Sequence, residues 1–328
     1  MSKTGAVRAT RLGDGPIVHA ALHPSIGVNI QGPSLLKVPD WVQNRLGRYY
    51  LYFADHKGAY IRLAFADELT GPWQIYEPGT LQLAHSHFLT EAPPVSDSQA
   101  AVIRQRFAEL GIELNHDPLE EVTTPHIASP DVHADADRQQ IVMYFHGLEA
   151  LGRQVTRVAV SSDGINFRAL PQVLGLTYWR AFVWEDFTYA LAMPGQFYRS
   201  KHPLQDFESG PLLFNPAMRH SAVLVRDDTL HVFWSQVGDA PEHIKHSTIA
   251  LGDDWRNWSV DGAAEVLRPE RAYEGAAAPL TPSVRSTAYG VVNQLRDPAV
   301  YVENEEVFLL YAVGGEAGIA LARLAFDA

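Results

Sequence analysis

The chain has no cysteine, which excludes disulfides, thiolate catalysis and thiolate-held metal. Basic residues are scarce: 26 Lys and Arg stand against 38 Asp and Glu, a formal net charge of −12. Such a surface repels phosphate backbones, so nucleic acid is not an expected partner. No apolar run approaches the ~20 residues of a membrane span. The opening MSKTGAVRATRLGDG lacks the apolar core of a signal peptide. The expectation is a soluble, cytoplasmic protein with no membrane partner. Nor does a glycine-rich dinucleotide fingerprint follow a strand and open a helix.

What remains is an ordinary globular composition over 328 residues, 46% hydrophobic and 20% charged. Short runs of aromatic and branched residues dominate, bounded by Gly, Pro or Asp. GPSLLKVPD, GRYYLYFAD, AYIRLAFAD and GPWQIYEP (from Gly32 to Pro78) read as a four-strand meander. The pattern returns in SPDVHADADRQQIVMYFHG with RQVTRVAVSSDGINFRAL, then in YWRAFVWEDFTYALAMPGQFYRS. It returns again in RHSAVLVRDDTLHVFWSQ with EHIKHSTIALGDDWRNWSV, and last in the stretch from Arg296 to GIALARLAF. Recurrence on this scale marks a repeat architecture, and four-stranded units arranged radially make a β-propeller. The fold class expected is all-β: a single five-bladed propeller over 1–328. The last copy is one strand short, and the alternation of GAVRATRL suits it to pair there and remove a free edge. Two insertions interrupt the repeat. Residues 79–125 contain SDSQAAVIRQRFAELG, a helix with a Ser96/Gln99 capping box. Residues 262–295 form a long connector.

In a propeller the first strand of each blade lines the central channel, and these strands start at one end of it. The five starts are Gln31-Gly32-Pro33, Ser129-Pro130-Asp131, Trp179-Arg180-Ala181, Arg219-His220-Ser221 and Arg296-Asp297-Pro298. They pool two carboxylates, three arginines, a histidine and a tryptophan in one polar funnel. Asp297 and Asp131 are the candidate catalytic carboxylates. His220 can carry a proton because an imidazole titrates near working pH. Trp179 and Arg180 suit a sugar platform and a clamp. Arg219, Arg296, His126 and Gln31 complete the candidate binding set. Asp55 and His56 follow YYLYF at a strand end that faces either this mouth or the opposite one. The bland alternative for each is a capped strand end.

Five repeats, the starts SPDV and RDPAV, and the strands YYLYFAD and FLLYAVGG resemble the five-bladed propeller glycoside hydrolases (families 43, 32, 68, 117 and 130). The resemblance spans nearly the whole chain as fold, and its most specific stretches are LRDPAVYVENEEVFLLYA and the GPW that ends the first unit. It implies cleavage of a glycosidic bond by carboxylate and histidine acid–base chemistry, on a small carbohydrate or sugar-acid substrate. It leaves room for a calcium or other divalent ion on the propeller axis. Glu274, in RAYEGAAAP, resembles an acid placed over the sugar by a loop. With Asp297 and Asp131 as base and partner, or nucleophile and acid, His220 or Glu274 supplies the proton. The chain departs from family 43 at three starts: Gly32-Pro33 stands where the base-bearing Asp-Pro is usual, Arg219-His220 where a Glu is usual, and Arg180-Ala181 where an Asp is usual. A lyase or isomerase using His and Arg on an acidic substrate, or a non-catalytic sugar-binding propeller, are the alternatives.

Overall fold

The computed structural model describes residues 6–252 and 254–327. Its strands form the five antiparallel blades of a propeller. Blade one runs outward through Gln31–Lys37, Tyr49–Ala54, Tyr60–Ala66 and Gln74–Gln82. Blade two runs through Ile127–Asp135, Gln140–Ala150, Arg153–Ser161 and Arg168–Ala169. Blade three follows with Arg180–Trp184, Phe187–Ala192, Gln196–Ser200 and Glu208–Leu212. Blade four is Met218–Arg226, Thr229–Gln236, Ile244–Ala250 and Val260–Leu267. Blade five is Arg296–Glu303, Glu306–Val313 and Gly318–Phe326, completed by the N-terminal Val7–Leu12. That closing strand pairs from Val7↔Phe326 to Leu12↔Leu321; Gly5 lies outside the described residues.

The apolar strand runs follow from burial on both faces of each blade. In YYLYFA all six residues are buried. Alternation sends Tyr50 and Tyr52 into the core shared with blade two, and Tyr49, Leu51 and Phe53 into the core shared with blade five. Three further clusters fill the remaining interfaces between neighbouring blades. Trp184 packs on Trp258 between blades three and four.

Two boundaries differ from the sequence expectation for the same reason. The insertion expected from 79 begins after Gln82, and the connector expected from 262 begins after Leu267. Gly79 and Gly262 stand at those expected starts, but each lies within an outer strand at positive φ, where the pairing register shifts. They are bulges, which bend a strand without ending it. The insertion holds the expected helix, α1 (Asp97–Glu109), with the Ser96/Gln99 box formed. A second helix, α2 (Pro118–Thr123), is N-capped by Asp117 and has Pro at its first position. It sets Glu121 at the mouth of the channel.

Candidate active site

The inner strands of blades one, two and five start with a shared device. Gly32–Pro33, Ser129–Pro130 and Asp297–Pro298 each bulge out of register with the second strand. Proline has no N–H for the ladder, so it sits where the ladder is broken. The residue before it is left-handed: φ is 63° at Gly32, 48° at Ser129 and 46° at Asp297, with Tyr178 of blade three at 58°. For residues other than glycine this conformation costs on the order of 1–3 kcal/mol and gathers at functional sites. The bulge turns Asp297 toward the axis.

Antiparallel pairing puts the end of each second strand beside the start of its inner strand. His56, Glu242 and Glu316, which follow the second strands of blades one, four and five, therefore join the same mouth. Glu316 accepts from Arg296 Nη1 at 2.9 Å and Asn29 Nδ2 at 2.6 Å, and meets His56 Nδ1 at 3.1 Å. Glu242 lies 3.2 Å from Arg219 Nη1 and 3.4 Å from Arg296 Nε, and accepts from Ser235 Oγ at 2.7 Å. The two glutamates and two arginines are at most 3% exposed. Buried charges persist only when paired and hydrogen-bonded in this way. Burial pushes the Glu316 carboxyl up, but His56, Arg296 and Asn29 outweigh it and hold it below the usual range.

Above this network lies a cavity of about 330 Å³, walled by His220, Tyr178, Arg219, His56, Glu121 and Arg285 among others. Tyr178 lies between two imidazoles, its ring centroid 4.4 Å from His146 and 4.9 Å from His220. His220 Nδ1 is 3.2 Å from Asp297 Oδ1 and accepts the Asp297 backbone N–H at 3.4 Å. A main-chain amide only donates, so Nδ1 is the bare nitrogen of this ring and Nε2 carries the proton. An ionised Oδ1 would face the lone pair of that nitrogen, a repulsion that a protonated carboxyl relieves. The electrostatics agree. Burial, then Glu316, push the Asp297 carboxyl up to about 8 despite nearby arginines. Burial, with Arg219 and Arg296, holds His220 well below the usual imidazole range. Both effects favour a carboxylic acid beside a neutral imidazole whose Nε2 is left for the cavity.

Glu121 has the opposite character. Burial pushes its carboxyl up, but the nearby His116, the charges of Lys57 and His56, and a hydrogen bond from Ser286 Oγ together hold it far below the usual range. Lys57 Nζ is 3.2 Å away and His116 Nε2 3.3 Å. One wall thus presents an ionised carboxylate and the other a protonated dyad, the separation of acidities that acid–base sites use.

No family model matches the chain. A protein of Acanthamoeba polyphaga mimivirus, "Uncharacterized protein R118", is 32% identical over 323 residues, 90% of this chain and 84% of the relative. The chain belongs to the family of this mimiviral protein. Among solved structures, a thermostable family-43 glycoside hydrolase superposes with a TM-score of 0.54 at 13% identity, over 91% of this chain and 90% of that one. A GH43_1 enzyme from Xanthomonas citri, solved with xylotriose, gives 0.54 at 12% over 98% and 90%. A β-xylosidase/α-arabinofuranosidase from a compost metagenome gives 0.56 at 10% over 98% and 95%. The chain is thus a divergent member of the five-bladed propeller fold that the family-43 hydrolases share.

Against that fold two of the three departures acquire physical reasons. At Gly32 a Cβ would stand 3.0 Å from Ser129 Cα, so the usual Asp is crowded there. Asp297 occupies the corresponding bulge on blade five. Arg219 and His220 fill the bulge of blade four, where the pairing skips from Met218 to Ser221.

The structure brings together Asp297, His220, Arg219 and Arg296, with Arg180 near enough to act on Asp297 and His220 through its charge, and gives the other sequence candidates different surroundings. Asp131 sits deeper in the channel with both oxygens occupied: Oδ2 accepts Ala181 N–H at 2.7 Å and meets His133 Nε2 at 2.7 Å, and Oδ1 is 3.4 Å from Arg180 Nη1. Arg180 also donates to the carbonyls of Ser221, Pro130 and Pro33, so it ties four blades together rather than clamping a ligand. Trp179 is 1% exposed and stacks on Tyr198 between blades. Glu274 is fully buried at the closure of blade five, bound by Arg11 Nε at 2.7 Å, Tyr311 Oη at 3.0 Å and two backbone amides. His126 is buried, its Nδ1 2.8 Å from the Thr124 carbonyl, and burial with Lys57 lowers it to about 3. Gln31 is buried at the channel start, where its amide has no protein partner.

Residues that sequence reasoning missed are Tyr178, His146, Glu121, Glu242, Glu316 and Arg285. The second-strand ends could have been found by applying antiparallel pairing to each repeat. The axial divalent ion does not fit. Among the described residues no three His or carboxylate side chains converge. The carboxyl nearest the axis holds its proton, and three buried arginines surround it.

Proposed function

We propose that the protein is a glycoside hydrolase in which His220 is the general acid and Asp297 its proton reservoir. Nε2–H of His220 donates to the departing glycosidic oxygen while the Asp297 proton passes to Nδ1. The ring ends neutral and Asp297 ends as the carboxylate; water then adds to the anomeric carbon and gives its proton to Nε2, while the Nδ1 proton returns to Asp297 and restores the pair. Arg219 and Arg296 offset the negative charge that this leaves in the floor. Glu121, ionised and too weak a base to take a proton readily, suits stabilisation of the positive charge that develops on the sugar ring. One observation supports the reading: the Asp297 main-chain N–H meets His220 Nδ1 at 3.4 Å, with Oδ1 at 3.2 Å, which favours the proton on Nε2.

The test is turnover of a panel of oligosaccharides, read as released reducing sugar, by the wild type and His220→Gln. General acid catalysis is worth about 10²–10⁴-fold, so the variant should lose that much on natural glycosides. It should lose far less on 4-nitrophenyl glycosides, whose leaving group needs no proton. Equal losses on both, or no turnover of any glycan by the wild type, overturn the reading.

A further inference from the structure

We infer that Arg285 makes this site selective for sugars that carry a carboxylate, such as uronic acids; the inference rests on reading the funnel as a sugar site. Arg285 lies on the connector before blade five, and its side chain lines the cavity. The backbone on either side is clamped from below. Arg219 donates to the carbonyls of Val284 at 3.1 Å and Ser286 at 2.9 Å, and Arg296 donates to Ser286 at 3.1 Å. Ser286 Oγ also bonds Glu121. The segment is thus fixed by the buried ion network, while the guanidinium it carries is not part of that network. Its one protein hydrogen bond among the described residues runs from Nη2 to the Pro216 carbonyl, 2.7 Å. None of the ion pairs among those residues includes it.

The charge count isolates it further. Around the funnel Lys57 is paired with Glu121, and Arg219 and Arg296 share Glu242 and Glu316. With Asp297 protonated, Arg285 is the cation left over, in a protein whose net charge is −12. Burial and the neighbouring Arg219 lower the affinity of its guanidinium for its proton. A ligand carboxylate relieves that repulsion and accepts from the guanidinium N–H groups that Pro216 leaves free. A hydroxyl cannot do the first. Fixing the cation before the ligand arrives also removes most of the ordering cost of binding it.

Calorimetric titration with glucuronate, galacturonate and mannuronate, each against its neutral parent sugar, tests this, with glucose 6-phosphate as a further arm. At least one uronate should bind about 10–100-fold tighter than its parent, the span of a charge-assisted hydrogen-bonded pair. The gap should narrow as salt rises. In Arg285→Gln it should close, and Arg285→Lys should keep part of it. No uronate preference in the wild type overturns the inference whether or not any variant folds. So does a preference that survives in Arg285→Gln, or binding of the phosphate without any uronate. Hydrolysis of neutral glycans that is lost in His220→Gln, without an acid preference, leaves the hydrolase reading standing and this one refuted. An acid preference without turnover of any glycan does the reverse.

Discussion

Replacing Asp297 by Asn should make the protein more stable and less active, and the stability gain should depend on pH. The carboxyl is pushed from 3.8 up to about 8 in the folded chain, and ionises near 3.9 once unfolded. Between those values the native state keeps a proton that the unfolded state has released. Stability therefore falls as pH rises, by about 1.4 kcal/mol per pH unit, and levels off above about 8. The favourable contribution is fully present below about pH 4. At pH 7 the native state has lost up to about 4 kcal/mol through this one group. An asparagine side chain has no proton to lose, fills the same space and can donate to His220 Nδ1 through its amide. Urea unfolding followed by tryptophan fluorescence should thus give a stability difference near zero at pH 4. The difference should grow in favour of Asp297→Asn up to pH 8 and then stay constant. Turnover should fall by about 10²–10⁴-fold, the scale of lost acid catalysis. In the wild type, turnover should decline as pH rises through about 8. A variant less stable than the wild type at pH 7, or a difference with no slope in pH, refutes the assignment of the proton to Asp297.

Three further outcomes are expected. Glu121→Gln removes the ionised carboxylate from the cavity wall and should lower kcat by at least about 100-fold, while substrate affinity measured in Asp297→Asn changes little. Arg11→Ala strands the buried carboxylate of Glu274, which should cost about 3–5 kcal/mol in urea unfolding with kcat per folded molecule unchanged. Gly32→Ala forces a side chain into left-handed backbone against Ser129 Cα and should cost about 1–3 kcal/mol; no loss of stability would show that the bulge can relax.

The sequence made the blades legible because each strand is buried on both faces and bounded by turn residues, so YYLYFA and its counterparts stand out. It showed Asp297 and His220 as neighbours of the axis because the strand starts are the least apolar part of each repeat. It did not separate Asp297 from Asp131. Both stand beside a proline at the start of an inner strand, and only the register shows that Asp297 lies in the bulge while Asp131 is already back in the ladder, opposite Tyr144. That step of two residues moves a side chain from the funnel floor into the packed channel. Nor could sequence tell that Trp179 packs between blades, since a propeller uses aromatic residues both as wedges and as ligand platforms. Arg285 was hidden for another reason. It lies on a connector without periodicity, and its placement depends on carbonyls gripped by arginines from two other blades.

The pairing of Val7–Leu12 with Gly318–Phe326 has a consequence for biosynthesis. Arg8 and Asp327, which bond across that pair, are 319 positions apart. At about 5–20 residues per second of translation, this strand waits roughly 15–60 s for its partner. During that wait it is an orphan β-segment beside an incomplete ring, the situation that invites off-pathway association. Its two arginines, at Arg8 and Arg11, keep the waiting segment charged. One of them later locks onto Glu274, so the residue that guards the nascent chain also latches the finished ring.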